Sequence, residues 1–133
     1  MLLNPYLRMK KKTGKEICEG TLKFQCLREN SPSFEYVQIN SKKQLFEKFL
    51  SIEKSIIEFK YLPYLHFEIH GSDDKSGLFL NSNELLEWNE LYESLQSINI
   101  RCKNNLFISL ATCYGAYMIR AYNNPTEPCP FYG

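Results

Sequence analysis

Nowhere in this 133-residue sequence does an apolar run approach the eighteen or so residues needed to cross a bilayer, so no membrane partner is expected. An excess of one charge is missing too. Sixteen Lys+Arg against fifteen Asp+Glu leave a formal net charge of +1, too weak a field to gather nucleic acid. The five cysteines, Cys18, Cys26, Cys102, Cys113 and Cys129, contain no CxxC pair and are odd in number, which argues against a disulfide framework and a zinc knuckle. Reduced thiols are the expectation, and one of them is a candidate for reactivity. There is no HExxH and no glycine-rich loop after a strand, so neither a metal nor a phosphate cofactor is expected. The opening MLLNPYLRMKKK sets its few apolar residues ahead of its charges, the reverse of a secretory signal, and points to a cytoplasmic protein.

What is present is the makeup of one folded domain, with 44% of residues apolar and 23% charged. The expected organisation is a single α/β domain over residues 1–133, with a flexible basic leader over 1–20 and an irregular, Pro-rich tail over 123–133. Leu22, Phe24 and Cys26 alternate with Lys23 and Gln25, a first strand, and Phe34 to Ile39 offer a second extended piece. Ser41 followed by Gln44 has capping-box spacing. Leu45, Phe46, Phe49, Ile52, Ile56 and Ile57 then recur at helical intervals, and Pro63 ends the pattern. Leu65, Phe67 and Ile69 alternate with His66, Glu68 and His70 in a strand closed by a turn from Gly71; the Ser-Asp-Asp that follows is ordinary turn chemistry. SGLFLN reads as a further short strand, and a helix over Asn83 to Ser97 is capped by Asn81 or Ser82. Leu106 to Ala111 is almost wholly apolar, as in a central parallel strand covered on both faces, and Ala116 to Tyr122 begins another helix. This order predicts an open, mostly parallel sheet with helices on both faces.

In such sheets the working groups gather at the carboxyl ends of the strands, where this sequence sets His70-Gly71 and Cys113-Tyr114-Gly115. An imidazole and a thiol on neighbouring strand ends can serve one reacting carbonyl. A thiol at a helix start beside an imidazole is favoured as thiolate. A glycine lets its N–H approach substrate, so Gly71 and the Cys113 N–H are candidate oxyanion donors. His66 and Glu68, on the face of His70, are candidate accessory groups. Cys102 reads as structural.

The segments LHFEIHG and LFISLATCYG, in this order and at this separation, resemble the caspase-like cysteine peptidases, a superfamily that includes gingipains, legumains, separases and the bacterial CHAT proteins. The resemblance runs from Tyr64 to about Gly115. It implies a caspase-hemoglobinase-like fold, a catalytic His70 and Cys113, an oxyanion donor at Gly71, and a protein or peptide substrate. Thr112 departs from the smaller or amide residue frequent at that place, and the superfamily usually adds strands after the cysteine. An incomplete sheet of this kind has an open edge that invites a protein partner or a second copy. A non-catalytic interaction module on the same scaffold is therefore the alternative reading.

Overall fold

In the computed structural model, which describes residues 13–22 and 33–121, the capping spacing at Ser41 opens the longest helix. The Ser41 hydroxyl accepts from the Gln44 N–H at 3.3 Å, while the Gln44 side chain reaches back to the Asn40 N–H at 2.9 Å. The chain divides into two units, residues 1–38 and 39–133. In the first, a helical turn, α1 (Thr13–Glu16), runs into a π-helical stretch (Ile17–Leu22). Leu22 therefore starts no strand here, and the rest of that predicted strand lies outside the described residues. So do the tail and most of the basic leader. Phe34 to Gln38, predicted extended, form no strand and stand exposed.

The second unit holds the core. α2 (Lys42–Phe59) buries Leu45, Phe49 and Ile56, then stops at Lys60, whose left-handed backbone (φ 55°) returns its N–H to the Ile56 carbonyl. β1 (Tyr64–Glu68) follows Pro63, and β2 (His70–Gly71), β3 (Gly77–Phe79) and β4 (Leu85–Glu87) form an antiparallel meander. α3 (Trp88–Arg101) buries Trp88, Leu91, Tyr92, Leu95 and Ile98, and β5 (Phe107–Ala111) returns to pair parallel with β1. A 3-10 helix (Gly115–Ala121) closes the described chain and buries Met118.

The molecule is mixed α/β, but three expectations change. The described strands form one parallel pair and one three-stranded antiparallel sheet rather than a mostly parallel one. Leu85 and Leu86 were expected in a helix; they instead pair with Phe79 and Leu78, and the helix starts at Trp88, where the Glu90 carboxylate accepts the Glu87 N–H at 3.0 Å. β5, expected to be the most buried strand, has exposed ends and a half-buried middle. One face of the pair, with Leu65, Phe67, Ile108 and Leu110, packs on the core, Phe67 lying edge-on to Phe49. The other face carries the stacked rings of Tyr64 and Phe107, both more than half exposed, so helices do not cover both faces among the described residues.

The helix starts are tied together by charge. Glu84 accepts the Lys42 N–H at 2.7 Å and the Ser82 hydroxyl at 2.8 Å, and the Lys42 ammonium binds both oxygens of Glu90. The Lys42 N–H, then the Ser82 hydroxyl, hold the Glu84 carboxyl below its usual range. Its contribution is thus complete above the unfolded carboxylate value of about 4.3 and is lost as pH falls through the lower folded value. Glu84→Gln is expected to melt earlier than the parent at pH 7, with the gap closing toward pH 3, as read by circular dichroism.

Candidate active site

The β2–β3 hairpin fixes how Gly71 faces its surroundings. Ser72 donates its N–H to the Gly77 carbonyl at 2.8 Å, so the next pair, Gly71 opposite Leu78, falls in the non-hydrogen-bonded phase of the ladder. The Gly71 N–H consequently points away from β3. The Cα of Gly71 meets the residues that follow β5. A Cβ added to Gly71 would stand 2.0 Å from the Cys113 carbonyl oxygen and 3.4 Å from the Thr112 hydroxyl. Only a residue without a side chain permits this approach.

That contact sets the end of the His-Gly strand against the turn that carries the thiol. The parallel register runs from Tyr64 opposite Phe107 to Glu68 opposite Ala111, and the two chains continue into His70-Gly71 and Thr112-Cys113. His70 and Cys113 both expose their side chains at this end, and no hydrogen bond joins the two groups among the described residues. His70 does not end a parallel strand as expected. It begins the antiparallel meander, opposite Phe79, because the chain changes sheets at Ile69. The other described cysteines differ. Cys102 is buried with its thiol on the Asn99 carbonyl, which fits its structural reading, and Cys18 is half-buried in the other unit.

Of the accessory candidates, His66 lies four residues back along the chain from His70, about 13 Å of extended chain. Its Nδ1 is 3.0 Å from the Ser109 hydroxyl across the parallel pair. Glu68 is exposed at the last register position, opposite Ala111. Among the described residues no group of three His, Cys, Asp or Glu side chains is placed to hold a metal ion, and no helix is long and apolar enough to cross a membrane.

The turn after His70-Gly71 is tightly built. Ser72 is buried and its hydroxyl accepts the Gly77 N–H at 2.9 Å; Asp74 accepts both the N–H and the hydroxyl of Ser76. The Ser76 hydroxyl, first among these donors, keeps the Asp74 carboxyl below its usual range. Lys75, at the tip, has a left-handed backbone (φ 65°), gives its N–H to Ser72 and accepts the Trp88 indole N–H on its carbonyl at 2.7 Å. Its ammonium stands 5.4 Å from the Tyr114 ring centre and 5.3 Å from that of Tyr117. Sequence reasoning missed this cluster. Its members are scattered from residue 72 to residue 117, and no local spacing announces them.

Comparison with protein-family models, with curated proteins and with solved structures finds no match to this chain.

Proposed function

We propose that this chain is a thiol hydrolase of caspase-like type that cleaves peptide bonds with a Cys113–His70 dyad. The reading is supported above all by the close approach of Gly71 to the Cys113 carbonyl, which aligns the two strand ends that must cooperate. The exposure of both side chains supports it further, since substrate must reach them. In this reading the Cys113 sulfur, as thiolate, attacks the scissile carbonyl carbon, and the Gly71 and Cys113 N–H groups hold the resulting oxyanion. His70 gives its proton to the departing amine as the C–N bond breaks. It then takes a proton from the water that cleaves the thioester, which frees the acid and restores the thiolate. In this reading the parallel pair of β1 and β5, with α3 in the connection between them, stands for the His and Cys strands of a caspase-like sheet.

A second reading draws on the uncovered face with the Tyr64–Phe107 stack: the same scaffold serves as a non-catalytic module that binds a protein partner. A panel of peptidyl acyloxymethyl ketones differing in their terminal residue separates the two. A single adduct at Cys113, mapped by mass spectrometry and absent from His70→Ala, is the expected result. Slow, equal labelling of all five cysteines overturns the hydrolase and leaves the binding module.

A further inference from the structure

Two residues other than glycine with left-handed backbones meet beside the candidate site. Tyr114 (φ 64°) directly follows the thiol residue, and Lys75 (φ 65°) tips the turn that follows Gly71. Such a conformation is strained for a side-chain-bearing residue, so surrounding contacts must impose it. At Lys75 the imposing contacts are backbone ones, to Ser72 and to the buried Trp88. At Tyr114 the described contacts are its ring packed edge-on to Tyr117, the Lys75 ammonium within reach of both rings, and its carbonyl on the Tyr117 N–H at 2.9 Å. The Cys113-Tyr114 segment is thereby held from two sides by one stretch of chain: Gly71 abuts the Cys113 carbonyl, and Lys75 binds the aromatic pair that follows it.

We propose that Lys75 is a positioning residue for the thiol. It acts through Tyr114 and Tyr117 to hold the Cys113 turn in line with His70-Gly71, its own place being set by the Trp88 indole. This deepens the hydrolase reading and rests on it for its functional consequence, though the latch itself is a matter of structure. A cation over two aromatic faces is held by the rings' negative quadrupole, which a neutral chain of equal length does not feel. Arginine keeps that attraction, whereas methionine keeps most of the packing and replaces the cation's pull with only the weaker sulfur–aromatic contact. The anchoring bonds use the Lys75 backbone and survive either change, so both variants retain the hairpin.

The test uses the full chain with Lys75→Met and Lys75→Arg. Iodoacetamide alkylation of Cys113 is followed across pH by site-resolved mass spectrometry, and amide shifts by NMR. Lys75→Met is expected to lower the His70-dependent part of the Cys113 rate about tenfold and change its pH profile, to move the Cys113 and Tyr114 amide resonances, and to leave the melting temperature near the parent's. Lys75→Arg is expected to restore most of the rate. Unmoved amide resonances in Lys75→Met, or an arginine variant no better than methionine, overturn the proposal. Failure of the hydrolase reading shows elsewhere, as a parent Cys113 rate indifferent to His70→Ala, and the amide shifts then still decide whether the latch exists. Should Lys75→Met unfold, Tyr117→Leu removes one ring of the pair and is read by the same amide shifts.

Discussion

Gly71→Ala is expected to separate the two strand ends and to lose the reactivity of Cys113 together with about 1–3 kcal/mol of stability, the usual cost of forcing a methyl group into filled space. The new Cβ would stand 2.0 Å from a backbone carbonyl oxygen and 3.0 Å from its carbon, neither of which can swing aside as a side-chain tip can. Relief requires moving the Cys113 turn or the β2 chain. β2 is fixed by its pairing with β3 and by the buried Ser72, so the thiol turn is the part that yields. Gly115→Ala supplies the contrast. Its Cβ would meet the Thr112 methyl group at 3.0 Å, a side-chain contact that a small rotation relieves, so its effect should be much smaller. Chemical denaturation gives the stability loss and site-resolved alkylation the loss at Cys113. A Gly71→Ala chain with parental stability and parental Cys113 labelling would contradict the close approach on which the site depends.

His70→Ala should carry the other large effect, a fall of about a thousandfold in peptide hydrolysis, within the range assigned to a positioned acid–base group. His66→Gln should leave the rate near the parent's, since that ring is engaged with Ser109 across the parallel pair rather than aimed at the strand ends. Added imidazole should restore part of the His70→Ala rate, because the open end of the sheet that exposes His70 would also admit a small base. Turnover of a peptide library selected by the ketone probes is the measurement. Equal losses in the two histidine variants would show that a general disturbance, and not the chemistry of one ring, lowers the rate.

These expectations depend on how far the chain's own pattern reaches. Ser41 and Gln44 place a helix start because capping is settled within four residues, and the structure places both side chains on backbone N–H groups there. The alternation from Leu65 to His70 likewise tells which residues turn to the core, since a strand has a period of two. Helical spacing, by contrast, misplaced Leu85 and Leu86. Leu85, Leu86, Trp88 and Leu91 fit a helical face as well as an apolar strand, and pairing with Leu78 and Phe79 made the choice. β5 was misjudged for a related reason: FISLA is apolar enough for a central strand, but its burial depends on which elements cover it, and its outer face carries Phe107 in the open.

His70, Gly71 and Cys113 were legible as candidates because each follows a local apolar pattern that reads as a strand, although in the structure His70 begins β2 and Cys113 lies two residues beyond β5. The sequence by itself determined the main helix and its cap, the inward faces of β1 and α3, and the choice of imidazole and thiol as the groups to watch. Tertiary structure alone decided that the chain changes sheets between Glu68 and His70, that Gly71 lies against Cys113, and that Lys75 reaches two rings some forty residues away. Capping and periodicity are properties of neighbours a few positions apart. Contacts between strand ends depend on register and packing summed over the whole chain, which no short stretch of it contains.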